Sequence, residues 1–512
     1  MTSIEAVQPR DAGLASELLP GGRFTALRRT LAAVSRAPVT EWPLITIVAV
    51  MATFWTLEVT AAVAADTWLN LLGGRIILHH GLPHRDTLAV ISHGYRWIDE
   101  QWLSNLIFYG VYRVGGLIAV AELTILLFVG ATALAFAIAR LRGASAASVA
   151  GCGWPLILIG ATFARAEVFV QPLAILLIAL LASESRRRTS RVWLAFPILI
   201  LWANLHGSVV LGAALTSALG LIELINVGRS RRFEARSVVR GIVLALAAWP
   251  CLFASPYGLE LKVYYRETLH NPAFGHFLTE WQTPSLLSVH GLATVYFIGL
   301  ACFLLGRRRG ALTAFELTTI AVTGLAAVDA ARSVVWFAYA CVLLLPATVP
   351  APRAERTEND WSIRLAMAIA AAGTLMFIGY TLAAPPGGLA KEPNQRGLNR
   401  IAQVLRSDPQ ARVFASYDLG DWLLFRLPQL KGRLAYDGRW EILPPAQMDT
   451  LVAYLRQTGP GWERPSFGYR LVVLNAAKQG ALVKTYKHRP GVRTLYLHGG
   501  IAVFDRGPAA DG

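Results

Sequence analysis

The sequence predicts an α-helical polytopic membrane protein of about eleven membrane-crossing helices, with interfacial helices in its first outer loop and a small C-terminal extracytoplasmic α/β domain. Three observations predict it. The 512 residues are 54% hydrophobic and only 16% charged, with a mean hydropathy of +0.46, which is too apolar for a soluble enzyme of this length. Between Pro43 and Ala383, apolar runs approaching the ~20 residues a helix needs to cross ~30 Å of hydrocarbon alternate with arginine clusters. Beyond about Pro385 the pattern changes to short β-prone runs separated by glycine turns.

Residues 1–42 carry Arg10, Arg23, Arg28, Arg29 and Arg36 without an apolar core of signal length. They read as a cytoplasmic tail with no cleavable signal. The transmembrane domain, 43–384, holds the expected spans Pro43–Ala65, Gly116–Ala139, Ala146–Phe163, Val168–Ser183, Val192–Leu205, Ser208–Asn226, Val239–Ala254, Leu292–Leu305, Ala311–Val328, Ser333–Pro350 and Ile363–Ala383. This count puts Arg140 and Arg142, Arg186–Arg191, Arg229–Arg240, Arg307–Arg309 and Arg353 with Arg356 on one side, together with the N-terminal arginines. Lys and Arg resist translocation, so that side is cytoplasmic and an odd number of spans leaves the C-terminus outside. The net charge of +16 is therefore topological, and no nucleic-acid partner is expected. Cys152, Cys251, Cys302 and Cys341 sit in or beside spans without metal-ligand spacing, as buried small hydrophobes do.

The first outer loop, 66–115, is the most polar stretch between spans. Trp68, Leu71, Leu72, Ile76 and Ile77 share one face of a helix over Thr67–Leu78, which Gly81-Leu82-Pro83 ends. Asp99–Val114 repeats the pattern with Trp102, Leu103, Leu106, Ile107 and Tyr109. Both read as interfacial helices. A second long outer loop covers 255–291. In the tail, 385–512, runs at Arg412–Ser416, Leu434–Tyr436, Leu471–Leu474, Thr494–Leu497 and Ile501–Phe504 are β-prone, and Gly397–Arg406 and Gln447–Gln457 are helical. About 110 residues suffice for one small α/β domain.

Charged residues at the membrane boundary are expensive and so mark candidate sites. Asp66 stands where the first span meets the outer surface. It fits a helix cap, a general base for an acceptor hydroxyl, or a carboxylate positioning a metal on a leaving phosphate. Asp99 and Glu100 are further catalytic candidates, or carboxylates favoured at a helix N-terminus. Asp86, Arg165, Glu167, Asn204, His206, Glu280 and Arg332 are candidate substrate-binding residues contributed by separate outer turns. Guanidinium forks such as those of Arg165 and Arg332 suit phosphate oxygens. The histidines His79, His80, His84 and His93 match no common zinc spacing, so no metal ligands are assigned. A divalent metal ion is an open possibility as cofactor.

Several ordered motifs carry a family resemblance: Asp66-Thr-Trp68, Gly81-Leu-Pro83-His-Arg-Asp86, Tyr95-Arg-Trp97, Glu100-Gln-Trp102-Leu103, Trp202-Ala-Asn204-Leu-His206-Gly207, Ser255-Pro-Tyr-Gly258, Glu280-Trp281 and Asp437-Gly438-Arg439. The chain resembles bacterial polytopic proteins of the GT-C glycosyltransferase superfamily along most of its length. The resemblance implies transfer of a sugar from a polyprenyl-phosphate donor to a cell-envelope glycan or lipid acceptor on the outer face of the inner membrane, with membrane lipid around the site. Members place a catalytic Asp or Glu in the first outer loop, and Asp66 matches that position. Many carry two adjacent acidic residues there, whereas this chain has Asp66-Thr67. Tyr417-Asp418-Leu-Gly420 is loosely similar to an oligosaccharyltransferase acceptor motif and reads better as a strand-to-turn segment. The competing expectations are a transporter or flippase of a lipid-linked or anionic solute, and a non-catalytic envelope scaffold of the same fold.

Overall fold

The computed structural model describes residues 41–56, 65–159, 164–230, 234–269, 278–308, 310–349 and 395–507. Six helices among them are long and apolar enough to cross a membrane: Trp102–Leu141, Glu167–Arg186, Val209–Ser230, Ala235–Phe253, Val289–Arg307 and Ala331–Thr348. Glu41–Thr56, Ala146–Ile159 and Ser190–Leu205 are shorter apolar helices. The chain is a multi-pass membrane protein. Every apolar run expected up to Pro350 is helical where it is described, and the last, Ile363–Ala383, lies outside the described residues.

Proline shortens several of these helices. Pro155 follows Ala146–Gly153 and precedes the single turn Leu156–Ile159. Pro250 converts the end of Ala235–Ala247 into a 3-10 turn, because its ring removes a donor and clashes with the preceding turn. Val334–Leu344 runs through the middle of the bundle with all its residues buried. Trp336 on it meets Trp202 at 5.9 Å between ring centroids.

Arginines of the inter-span clusters meet at one end of the bundle. There the buried Glu316 pairs with Arg142 and, at 2.6 Å, with Arg186. Arg240 bridges Glu184 at 3.0 Å and Glu223 at 3.1 Å. Such pairs tie five helices together, since an unpartnered buried charge would cost several kcal/mol.

At the opposite end, α1 (Ala65–His80) packs on the first part of α2 (Trp102–Leu141), which bends at Gly116, where φ is +66°. That bend separates the expected interfacial segment from the second span. Gly73 and Gly74 set the helix contact. A Cβ on Gly74 would stand 2.1 Å from the Asn105 carbonyl oxygen and 2.6 Å from the Tyr109 Cβ, so only glycine allows the two backbones to approach. The apolar face of α1, which the sequence directs toward the membrane surface, packs on protein instead. Trp68, Leu71 and Leu72 join a core shared with Phe108, Trp422 and Phe425. The tail thus supplies the apolar surface that lipid would otherwise provide.

Residues 395–507 form a four-stranded sheet of β1 (Val413–Ala415), β2 (Leu471–Asn475), β3 (Arg493–His498) and β4 (Ile501–Asp505), in the order β1-β2-β4-β3. β1 runs parallel to β2, and the other pairs are antiparallel. The β1 edge continues into the membrane-proximal loop. Leu434 bridges Val413 on one side and Ala89 on the other. Val90 and Ile91 donate to the Leu434 and Ala435 carbonyls at 2.8 and 3.0 Å. The first inter-span loop is therefore bridged through Leu434 to the tail's sheet edge, which satisfies backbone groups that would otherwise be open.

A buried ionic cluster locks this junction. The Arg439 guanidinium donates to Asp86 at 2.8 Å and to Asp437 at 2.5 Å, and it lies over the Trp97 ring at 4.1 Å. Asp86 also accepts from the Leu88 backbone at 2.8 Å and from Ser92 Oγ at 2.5 Å.

Gly74→Ala should lower thermal stability by about 1–3 kcal/mol, because the clash outweighs the gain in helix propensity. Gly110→Ala, where a Cβ meets nothing within 4 Å, should not; thermal unfolding in detergent compares the two. Arg439→Ala, which strands Asp86 and Asp437 as unpaired buried charges, should cost about 3–5 kcal/mol in the same measurement.

Candidate active site

A cavity of about 320 Å³ opens between the bundle end and the tail. Seven of the candidate residues line it: Asp66, Asp99, Glu100, Arg165, Glu167, Glu280 and Arg332. They come from segments scattered over more than half of the chain. The tail closes the cavity with Tyr417, Gly438, Arg439, Trp440 and Glu441.

One wall is a chain of ion pairs. Asp66 at the start of α1 meets Arg165 Nε at 2.5 Å. Arg165 also donates through Nη1 to Glu280. The other Glu280 oxygen lies 3.9 Å from Arg332, whose guanidinium stacks over Trp281 at 4.5 Å. The Ala331 amide donates to the Gln282 carbonyl at 3.0 Å, which keeps these two segments side by side. Burial alone would raise the Glu280 pKa, but Arg165 and Arg332 outweigh it and hold the carboxyl below its ordinary value. Burial works against the Arg165 charge, and Asp66 and Glu280 more than restore it.

The facing wall is acidic. Burial, only partly offset by the Asn105 hydrogen bonds, pushes Asp99 up to about 6. Burial, then the neighbouring charges of Glu441 and Asp99, push Glu100 up to about 8. Burial likewise raises Glu441 to about 7. The Asn105 amide donates to both Asp99 oxygens at 2.9 Å, and Tyr264 hydrogen-bonds Glu100. These carboxyls exchange protons near neutrality, the range useful for general acid–base work. Among the described residues, no group of three or more His, Cys, Asp or Glu is arranged to hold a metal ion.

The other candidates lie outside the cavity. Asp86 is the buried anchor of Arg439. Asn204 accepts from Trp102 Nε1 at 2.9 Å and donates to the Ile200 and Ala254 carbonyls at 2.8 Å, so it joins helix ends. His206 is held by Ser208, whose amide donates to Nδ1 at 3.1 Å. Burial, then the Arg332 and Arg165 charges, lower the His206 pKa to about 3, which keeps the ring neutral behind the arginine pair. Sequence reasoning passed over Glu441, Tyr264 and Trp97. Glu441 follows the Asp437-Gly438-Arg439 motif closely, but nothing in its local pattern reveals that the tail folds back over the first loop.

The raised carboxyl pKa values carry a stability signature. Each such group binds protons more tightly in the folded state, so it stabilises fully below the unfolded carboxyl range near ~4 and loses that contribution as pH rises through its folded pKa. For Asp99, Glu441 and Glu100 that window ends at about 6, about 7 and about 8. The Tm should therefore fall between about pH 5 and pH 8, and Glu100→Gln should flatten the upper part of the decline. A Tm that rises across the window contradicts the protonation pattern.

No protein-family model matches the sequence, and no curated protein matches it. Solved structures do. The Archaeoglobus fulgidus oligosaccharyltransferase tethered to an acceptor peptide superposes with a TM-score of 0.50 at 11% identity, over 84% of this chain and 69% of that one. The mycobacterial arabinofuranosyltransferase AftD gives 0.48 at 14% identity over 91% of this chain. The chain spans only 40% of AftD's length. At such identities the likeness concerns the fold. The chain has the fold of the GT-C glycosyltransferases.

Proposed function

We propose that this protein is a membrane glycosyltransferase that moves a sugar from a polyprenyl-phosphate donor to a cell-envelope glycan or lipid acceptor at the outer face of the inner membrane. The observation that carries the reading is the cavity itself. It lies at the bundle end remote from the arginine clusters, and it sets carboxylates and the guanidiniums of Arg165, Arg332 and Arg439 around one small volume.

In the proposed step the acceptor hydroxyl oxygen bonds to the anomeric carbon. The bond from that carbon to the phosphate oxygen breaks, its electron pair leaves with the polyprenyl phosphate, and the hydroxyl proton passes to a carboxylate. Asp66 is assigned to orient the acceptor hydroxyl and take this proton, with Arg165 fixing its orientation. Arg165 and Arg332 flank Glu280 from two sides and are assigned to the donor phosphate, where guanidinium forks stabilise the charge that develops on leaving. Glu280 orients both arginines before the donor arrives. Glu100 and Glu441, raised to about 8 and about 7, are assigned to carry the proton onward to solvent.

The test supplies purified protein with a radiolabelled polyprenyl-phosphate sugar and an envelope acceptor extract. Asp66→Asn should lower transfer by about 10²–10⁴-fold with Tm little changed. Equal transfer by both proteins removes Asp66 from the mechanism.

A further inference from the structure

A second cavity, of about 650 Å³, shares Trp97 with the candidate active site. The buried Trp97 lines both cavities, so the two are neighbours. The chemistry of the two is opposite. The lining of the first is rich in Asp and Glu, whereas that of the second contains Arg75, Arg85, Lys431, His79 and His80 and no acidic residue. Its floor is apolar, formed by Leu72, Ile76, Leu82 and Leu424 among others.

The cations here differ from the arginines that line the candidate active site. Arg165, Arg332 and Arg439 each meet a carboxylate. Among the described residues, no carboxylate lies within ion-pair distance of Arg75, Arg85 or Lys431. Arg75 is half-buried, and both its Nη atoms donate to backbone carbonyls, Phe425 at 2.7 Å and Leu424 at 3.1 Å. Those bonds hold the guanidinium in place without neutralising it. Arg85 is steadied by the Gly94 carbonyl at 2.9 Å. Like charges gathered around one concavity repel each other unless an anion joins them. Cationic walls over an apolar floor suit a sugar ring that carries a negative group, and the volume lies in the range of small-molecule sites.

We propose that this second cavity binds an anionic saccharide, a sugar unit bearing a phosphate or a carboxylate, next to the candidate active site. Because the two cavities share Trp97, the bound unit is a neighbour of the acceptor sugar that receives the transfer, and the site selects acidic acceptors. That assignment to the acceptor rests on the transferase reading; the binding of the anion does not.

The experiment is calorimetric titration of the purified full chain in neutral detergent with glucose 6-phosphate, glucuronate and glucose. At least one of the two anions should bind, more weakly as salt rises, and glucose should not. The identity of the anion that binds names the preferred group. The double variant Arg85→Gln/Lys431→Gln should weaken anion binding by about tenfold or more with unchanged Tm. Asp66→Asn should leave binding intact even where transfer is lost, which separates this site from the transferase step. Binding of glucose as tight as that of the anions, binding of neither anion, or an unchanged double variant overturns the proposal. So does displacement of the sugars by phosphatidylglycerol in mixed micelles, which would assign the cavity to a lipid headgroup.

Discussion

Arg439 reaches across the junction between the tail and the first inter-span loop, and the geometry of the site depends on that reach. Its guanidinium is almost fully buried between Asp86 of the loop and Asp437 of the tail. Removing three charges from water is costly, and only mutual pairing with further hydrogen bonds offsets it. The Leu88 amide and Ser92 Oγ provide those bonds on Asp86. Such a cluster contributes little net stability compared with an apolar core, but it permits one arrangement. With Asp86 fixed, residues 89–91 meet the sheet edge at Leu434 and Ala435, and Glu441 is carried to the cavity.

The same junction decides the electrostatics. The tail brings one further carboxylate, Glu441, to a wall already holding Asp99 and Glu100. Acidic groups this buried and this close cannot all ionise near neutrality, so their pKa values spread upward from about 6 to about 8. On the opposite wall, guanidiniums outweigh burial and keep Glu280 charged. One small volume thus contains carboxyls that hold protons and carboxylates that do not. Trp97, covered by Arg439, also lines a neighbouring cavity that has cations and no acidic residue in its lining.

Much of the fold was legible in the sequence. The apolar runs from Pro43 to Pro350 became helices wherever they are described, because a 20-residue apolar helix satisfies its own backbone and needs no partner to be recognised. Arg142, Arg186 and Arg240, from three of the arginine clusters between them, meet at one end. Asp66, Asp99, Glu100, Arg165, Glu167, Glu280 and Arg332 could be named as candidates because polar residues in short turns beside apolar helices need a reason. Asp86, Asn204 and His206 satisfied the same criterion, but the structure places them in an ionic anchor, a helix junction and a buried neutral ring.

The sequence by itself determined a multi-pass helical chain with one basic end, a polar first loop and a β-containing tail. Those features are set by hydropathy, charge and turn residues, which act over a few positions. The tertiary structure alone decided that Asp66 faces Arg165, that Glu441 faces Glu100, and that the apolar face of Ala65–His80 meets the tail. Each of these joins residues that are distant in the chain. Partnerships of that kind depend on which surfaces meet after the helices have packed, and no local pattern records them.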